Sequence, residues 1–68
     1  MKEFKLTEEY IELIRLIKFL RWSETGGHAK EMVEAGLVRL NGQVEYRKRA
    51  KLRKGDVVQV EDNTVKII

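Results

Sequence analysis

An α+β fold, two helices packed against a small twisted, mainly antiparallel sheet, is predicted by three features of the sequence. Apolar residues recur at spacings of three and four up to Val33 and then switch to strict alternation. Glycine-bearing turn signals, Asn41–Gly42 and Lys54–Gly55–Asp56, punctuate the alternating half. The 68 residues contain no repeat and no linker-like stretch, so residues 1–68 are read as a single domain.

The elements follow in order. Leu6, Thr7, Glu8 and Glu9 read as a helix start: Thr7 can accept from the first-turn amides, the two acids favour the positive end of the helix, and Leu6 can staple onto Ile11. Tyr10, Leu13, Ile14, Ile17 and Leu20 line one helical face, widened by Ile11, Leu16 and Phe19, as in a helix packed on a core. Trp22, a large residue in a short chain, is expected to be at least partly buried. The polar stretch Ser23 to Gly27 interrupts the stripe. Ala29, Met32 and Val33 then form the face of a second, shorter helix, which Gly36 ends as a left-handed cap.

Beyond Gly36 the chain reads as strands. Val38 and Leu40 alternate with Arg39, and Val44 and Tyr46 with Glu45, around Asn41–Gly42. A three-residue loop would set Leu40 against Val44, Val38 against Tyr46 and Arg39 against Glu45, keeping one face apolar, and this register is expected over a two-residue turn. After Lys54–Gly55–Asp56, a hairpin of 57–61 and 64–68 is expected about Asp62 and Asn63. It pairs Val60 with Val65 and Val58 with Ile67, and leaves Gln59 and Lys66 outside.

Composition excludes several classes of function. The chain has no Cys and one His, which leaves neither a disulfide framework nor a thiolate or His-rich metal site. For nucleophilic catalysis the sequence offers Ser23 and Thr25 in a helix-entry turn, with His28 as a nearly solitary base. No catalytic residue, metal or cofactor is expected. The apolar residues never run to the roughly 20 needed to span a bilayer, and the first ten residues lack the apolar core of a signal peptide. A cytoplasmic protein with no membrane partner is expected, and a monomer is the simplest assembly.

The net charge is only +3, so the placement of charge matters more than its sum. Residues 47–54 carry six cations in eight positions with no acid among them. Such segregation costs self-repulsion and creates a local field suited to a polyanion. Within this run Arg47, Lys48, Arg49 and Lys51 are the leading contact residues, because Arg forks match phosphate oxygens and dense cations release counterions when nucleic acid binds. A second candidate is the turn at Ser23, Gly26 and Gly27. Paired glycines at a helix entrance leave amides open to an anion, and Lys30, one turn on, can reach the same phosphate or pair with Glu34. Arg15 and Lys18 read equally well as a solvated helix face.

Taken together, Ala29, Lys30, Met32, Val33, Gly36, Val38, Leu40, Asn41, Gly42, Lys54, Gly55, Asp56 and Val58 resemble, in order and spacing, the RNA-binding domain named after ribosomal small-subunit protein four, also called the alpha-L motif. The resemblance covers roughly residues 10–61. It extends to the small stand-alone bacterial members through Trp22, Ser23, Gly26, Gly27, Ala29, Lys30 and the run Arg47, Lys48, Arg49. In the broader family a Ser–Arg pair often precedes the second helix. Here Gly26 and Gly27 stand in its place, which points to backbone amides as the contacts. The resemblance implies a binding module without an enzyme attached, recognising structured RNA, ribosomal RNA or another folded RNA, with the ribosome as a possible assembly.

A noncatalytic RNA-binding protein gripping structured RNA through Ser23, Gly26, Gly27, Lys30, Arg47, Lys48, Arg49 and Lys51 is therefore the expected function. The alternative is a protein-interaction adaptor whose basic loop docks on an acidic partner. Duplex DNA is disfavoured, because neither helix shows the long basic face of a major-groove reader.

Overall fold

The computed structural model describes residues 1–68, arranged as β1 (Lys2–Phe4), β2 (Ile11–Glu12), α1 (Leu13–Phe19), α2 (Gly26–Glu34), β3 (Val38–Leu40), β4 (Gln43–Val44), β5 (Lys51–Leu52), β6 (Val57–Val60) and β7 (Asn63–Ile67). A five-stranded sheet runs in the order β1-β7-β6-β3-β4, and β2 and β5 form a separate antiparallel pair. The sheet is antiparallel except at one edge, where β1 lies parallel to β7. Leu13, Leu16 and Ile17 of α1, Ala29, Met32 and Val33 of α2, and Val38, Val58, Val60, Val65 and Ile67 of the sheet share one core, which also takes in Leu6, Ala50 and Leu52.

Two elements differ from the sequence reading near the N-terminus. Lys2 to Phe4 form a strand that no local alternation announces, specified instead by pairing with Val65, Lys66 and Ile67. The first helix starts at Leu13, six residues beyond Thr7, and its N-cap Glu12 makes no side-chain capping bond. The capping comes from far along the chain: the Leu13 amide donates to the Ala50 carbonyl (2.9 Å) and the Ile14 amide to the Lys48 carbonyl (3.1 Å). Those bonds satisfy two of the orphan amides of the helix start, so Thr7 has no such role. Leu6 is held by its own amide on the Ile68 carbonyl (2.8 Å) and buried in the core. It does not staple a helix. Trp22 is half-buried against the core.

Both helices end in the same left-handed motif. At α2 the Leu37 amide donates to Met32 and the Gly36 amide to Val33, with Gly36 at φ +76°. At α1 the Trp22 amide donates to Ile17 and the Arg21 amide to Lys18, and the left-handed position is filled by Arg21 at φ 60°. A glycine would adopt that conformation without steric cost.

The two hairpins correct the expected registers for different reasons. Arg39 pairs with Val44 and Leu40 with Gln43, a two-residue turn at Asn41 (φ 51°) and Gly42 (φ 87°), the conformation that Asn-Gly favours. Val44 and Tyr46 do not need an apolar partner on β3, because β6 already covers it through Val38–Val60 and Leu40–Val58. Both are exposed, Tyr46 at 64%. The second hairpin turns at Glu61–Asp62, one residue earlier than expected, and pairs Val58 with Val65 and Val60 with Asn63. A shift of two in pairing leaves every side chain on its face. Val58, Val60, Val65 and Ile67 are buried, with Gln59 and Lys66 outside.

The Asn-Gly and Lys-Gly-Asp turns are bonded to each other. The Asn41 amide donates to the Val57 carbonyl (2.8 Å), and its side-chain Oδ1 accepts from the Val57 amide (2.9 Å). Asn41 Nδ2 donates to Asp56 Oδ1 (3.0 Å), while Asp56 Oδ2 accepts from the Arg53 amide (2.8 Å). One asparagine thereby ties the β3–β4 turn to the exit of the basic segment.

Candidate nucleic-acid interface

The basic segment runs from the end of β4 to the β5–β6 turn, and its geometry follows from which residues the core takes. Ala50 and Leu52 are buried and Lys48 is half-buried, while Arg47, Arg49, Lys51 and Arg53 are exposed. The Ala50 amide donates to the Arg47 carbonyl (3.1 Å), so the segment bends through a turn at Lys48 and Arg49 before β5. Alternation with a bend turns a row of cations into a concave surface. Arg47, Arg49, Ala50, Lys51 and Arg53 line a shallow depression of about 550 Å³.

Its charges are unequally available. Glu45 grips Arg47: Oε2 accepts from the Arg47 amide (2.9 Å) and Nε (3.0 Å), and Oε1 from Nη2 (2.9 Å). The Arg47 side-chain hydrogen bonds hold the Glu45 carboxyl below the usual carboxylate range, and the carboxylate in turn raises the Arg47 guanidinium. Lys48 Nζ lies 3.8 Å from Glu34 Oε1, a loose tie between this segment and the last residue of α2. Glu34 thus faces Lys48, and Lys30 makes no ion pair. Arg49, Lys51 and Arg53 are also unpaired. The last two converge on one aromatic ring, with Lys51 Nζ 4.9 Å and Arg53 Cζ 5.7 Å from the Tyr10 centroid. At an exposed site each such contact is worth about 0.5–1 kcal/mol.

The turn before α2 is built differently from expectation in one respect. Ser23 is only 5% exposed, and its hydroxyl donates to the Thr25 carbonyl (3.1 Å), so it shapes the turn from within. Thr25 is the N-cap: its Oγ1 accepts from the His28 amide (3.0 Å) and its carbonyl from the Ala29 amide (3.1 Å). Gly26 and Gly27 open the helix, their amides make no bond within the chain, and a Cβ at Gly26 would meet nothing within 4 Å. His28 is exposed in the first turn, as its position suggested. Gly26 and Glu34 are eight residues apart on α2, about 12 Å. The expected residues therefore form two groups, Gly26, Gly27 and Lys30 at the start of α2, and the Arg47–Arg53 depression beside its end.

Sequence reasoning missed one member of the depression, Arg53, and the aromatic ring that adjoins it, Tyr10. Arg53 belongs to the cationic run and shares the outward parity of Arg47, Arg49 and Lys51, which was the signal available. Tyr10 gave no signal, because its spacing fits the helical stripe. In the structure it precedes β2 and stands opposite Arg53 when the Ile11–Leu52 register is continued by one residue.

The S4 domain family model matches residues 4–68. The chain belongs to the S4 domain family. Over 59 residues it is 37% identical to "Putative RNA-binding protein YbcJ" of Escherichia coli (strain K12), covering 87% of this chain and 84% of that one. The YbcJ protein of Shigella flexneri matches to the same extent. The solution structure of Escherichia coli YbcJ, described as an alpha-L motif involved in RNA binding, superimposes with a TM-score of 0.76 at 36% identity, covering all of this chain and 87% of the other. The interlocked turns contain Asn41, Gly42, Lys54, Gly55 and Asp56, residues on which the resemblance rested.

Proposed function

We propose that this S4 domain is a noncatalytic RNA-binding protein, a cytoplasmic monomer that grips structured RNA, ribosomal or ribosome-associated, through the depression of Arg47, Arg49, Lys51 and Arg53. The observation that carries the reading is the concentration of four cations around one concavity, of which only Arg47 is ion-paired, to Glu45. The description of Escherichia coli YbcJ as an RNA-binding protein supports the same class of ligand. The open amides of Gly26 and Gly27, with Lys30, supply a further phosphate contact at the start of α2. The body measures 26 × 21 × 18 Å, so the footprint is local and recognition rests on RNA shape.

The test is salt dependence of affinity for an RNA hairpin, followed by fluorescence anisotropy. With the net charge of the depression near +3, the log–log slope is expected at roughly −2 to −3. Changing Arg49, Lys51 and Arg53 together to Ala should make it markedly shallower and weaken binding. A flat slope in the unaltered protein refutes the proposal.

A further inference from the structure

An arginine or lysine next to acids ordinarily ends in an ion pair, and Lys51 has the opportunity. In the β2–β5 pair Glu12 stands directly opposite Lys51 and Ile11 opposite Leu52. Side chains directly opposite in an antiparallel pair share a face, and diagonal neighbours are within reach of aromatic and long side chains. With Ile11 and Leu52 turned to the core side, Glu12, Lys51, Tyr10 and Arg53 fall on the other face, Lys51 between Glu12 and Tyr10. Lys51 makes no ion pair, and its ammonium lies 4.9 Å from the centre of the Tyr10 ring. Arg53, opposite Tyr10, approaches the same ring at 5.7 Å.

The difference between the two available partners matters for an anion site. A carboxylate holds a cation by cancelling its charge, as Glu45 does for Arg47. An aromatic ring holds it through its quadrupole and adds no net charge. We propose that Tyr10 is the positioning residue of the cationic depression: its ring holds Lys51 and Arg53 side by side and keeps Lys51 off Glu12, so that an RNA backbone phosphate meets two unneutralised cations at once. This rests on the RNA reading above. Tyr10 also lines a neighbouring hollow with Glu8, Glu9 and Glu12, so the two cations it holds stand beside an acidic surface.

Binding of a fluorescein-labelled RNA hairpin across a salt series tests this, with Tyr10→Leu, Tyr10→Phe, the double variant Tyr10→Leu/Glu12→Gln, and Lys51→Ala/Arg53→Ala. Tyr10 is 37% exposed, so leucine keeps an apolar residue at a site that contributes little to the core. Tyr10→Leu should weaken binding about three- to tenfold and make the salt slope shallower by roughly one phosphate contact, 0.7–0.9. Tyr10→Phe should match the parent, and adding Glu12→Gln to Tyr10→Leu should restore most of the loss. Unchanged affinity and slope in Tyr10→Leu, with Lys51→Ala/Arg53→Ala weakened, overturns the role of Tyr10 and leaves the RNA reading standing. Unchanged binding in every variant overturns the RNA reading of this face. One measurement is independent of variant folding: the Lys51 Hε resonances of the unaltered protein should be shifted upfield by the Tyr10 ring current, and unshifted resonances overturn the proposal.

Discussion

Replacing Glu45 by Gln separates two roles that the Glu45–Arg47 pair can play. The carboxylate accepts three hydrogen bonds from Arg47, at 2.9, 3.0 and 2.9 Å, and is the single acid paired within a rim of four cations. Glutamine preserves the size and one acceptor but removes the charge, raising the net charge of the rim from about +3 to about +4. The Arg47 side chain is 75% exposed, so the freed guanidinium works in a largely aqueous dielectric. There a unit charge a few ångströms from a phosphate contributes about a threefold gain in affinity, and one added phosphate contact steepens the log–log salt slope by about 0.7–0.9. The assay is anisotropy of the labelled hairpin from low to moderate salt, with parent and Glu45→Gln measured side by side. Tighter binding with a steeper slope is expected. Weaker binding at an unchanged slope would refute the reasoning, because it would mean that Glu45 serves the site by aiming Arg47 and not by neutralising it.

The same pair gives a pH dependence. Because the Glu45 carboxyl is lowered from its ordinary 4.5, its contribution to stability is fully present above that value and is lost as pH falls through the lowered one, so the melting temperatures of parent and Glu45→Gln should converge below pH 4.5. Asn41→Ala removes the acceptor for Val57 and the donor to Asp56 and leaves alanine at φ 51°; a loss of about 2 kcal/mol is expected in urea unfolding, and Asn41→Gly should recover the conformational part alone. Leu52 is fully buried, and Leu52→Ala should cost about 2–5 kcal/mol, a large share of what a domain of this size possesses. At the two left-handed helix ends the signs should oppose: Gly36→Ala destabilises by about 1 kcal/mol, with a Cβ 3.2 Å from Tyr46 Oη, while Arg21→Gly stabilises by a few tenths, as thermal melting would show.

What could be read in the sequence was what the chain specifies locally. The second helix carries its own stop signal and apolar face, so Ala29, Met32, Val33 and Gly36 were placed correctly. The last hairpin was legible as a face but not as a register, since a displacement of two leaves Val58 and Val65 buried in either case. The first hairpin went wrong where a tertiary argument was set above a local one: Asn41–Gly42 specified its own tight turn, and β6 supplied the burial assigned to Val44 and Tyr46. The start of α1 could not be read at all, because its capping carbonyls belong to Lys48 and Ala50, more than thirty residues away. In the site, the cationic run was plain from composition, but the pairing of Glu45 with Arg47 and the place of Tyr10 depend on how the segment bends.

The parallel pairing of β1 with β7 has a consequence for the order in which the molecule is made. Leu6 donates to Ile68, and Ile68 donates to Phe4, so a strand made before either helix bonds to one made after every other strand of the sheet. Until residues 63–67 have been synthesised the first strand has no partner, and the loop to be closed spans nearly the whole chain. That closure is entropically costly and comes late, whereas α2 can form from neighbours already present.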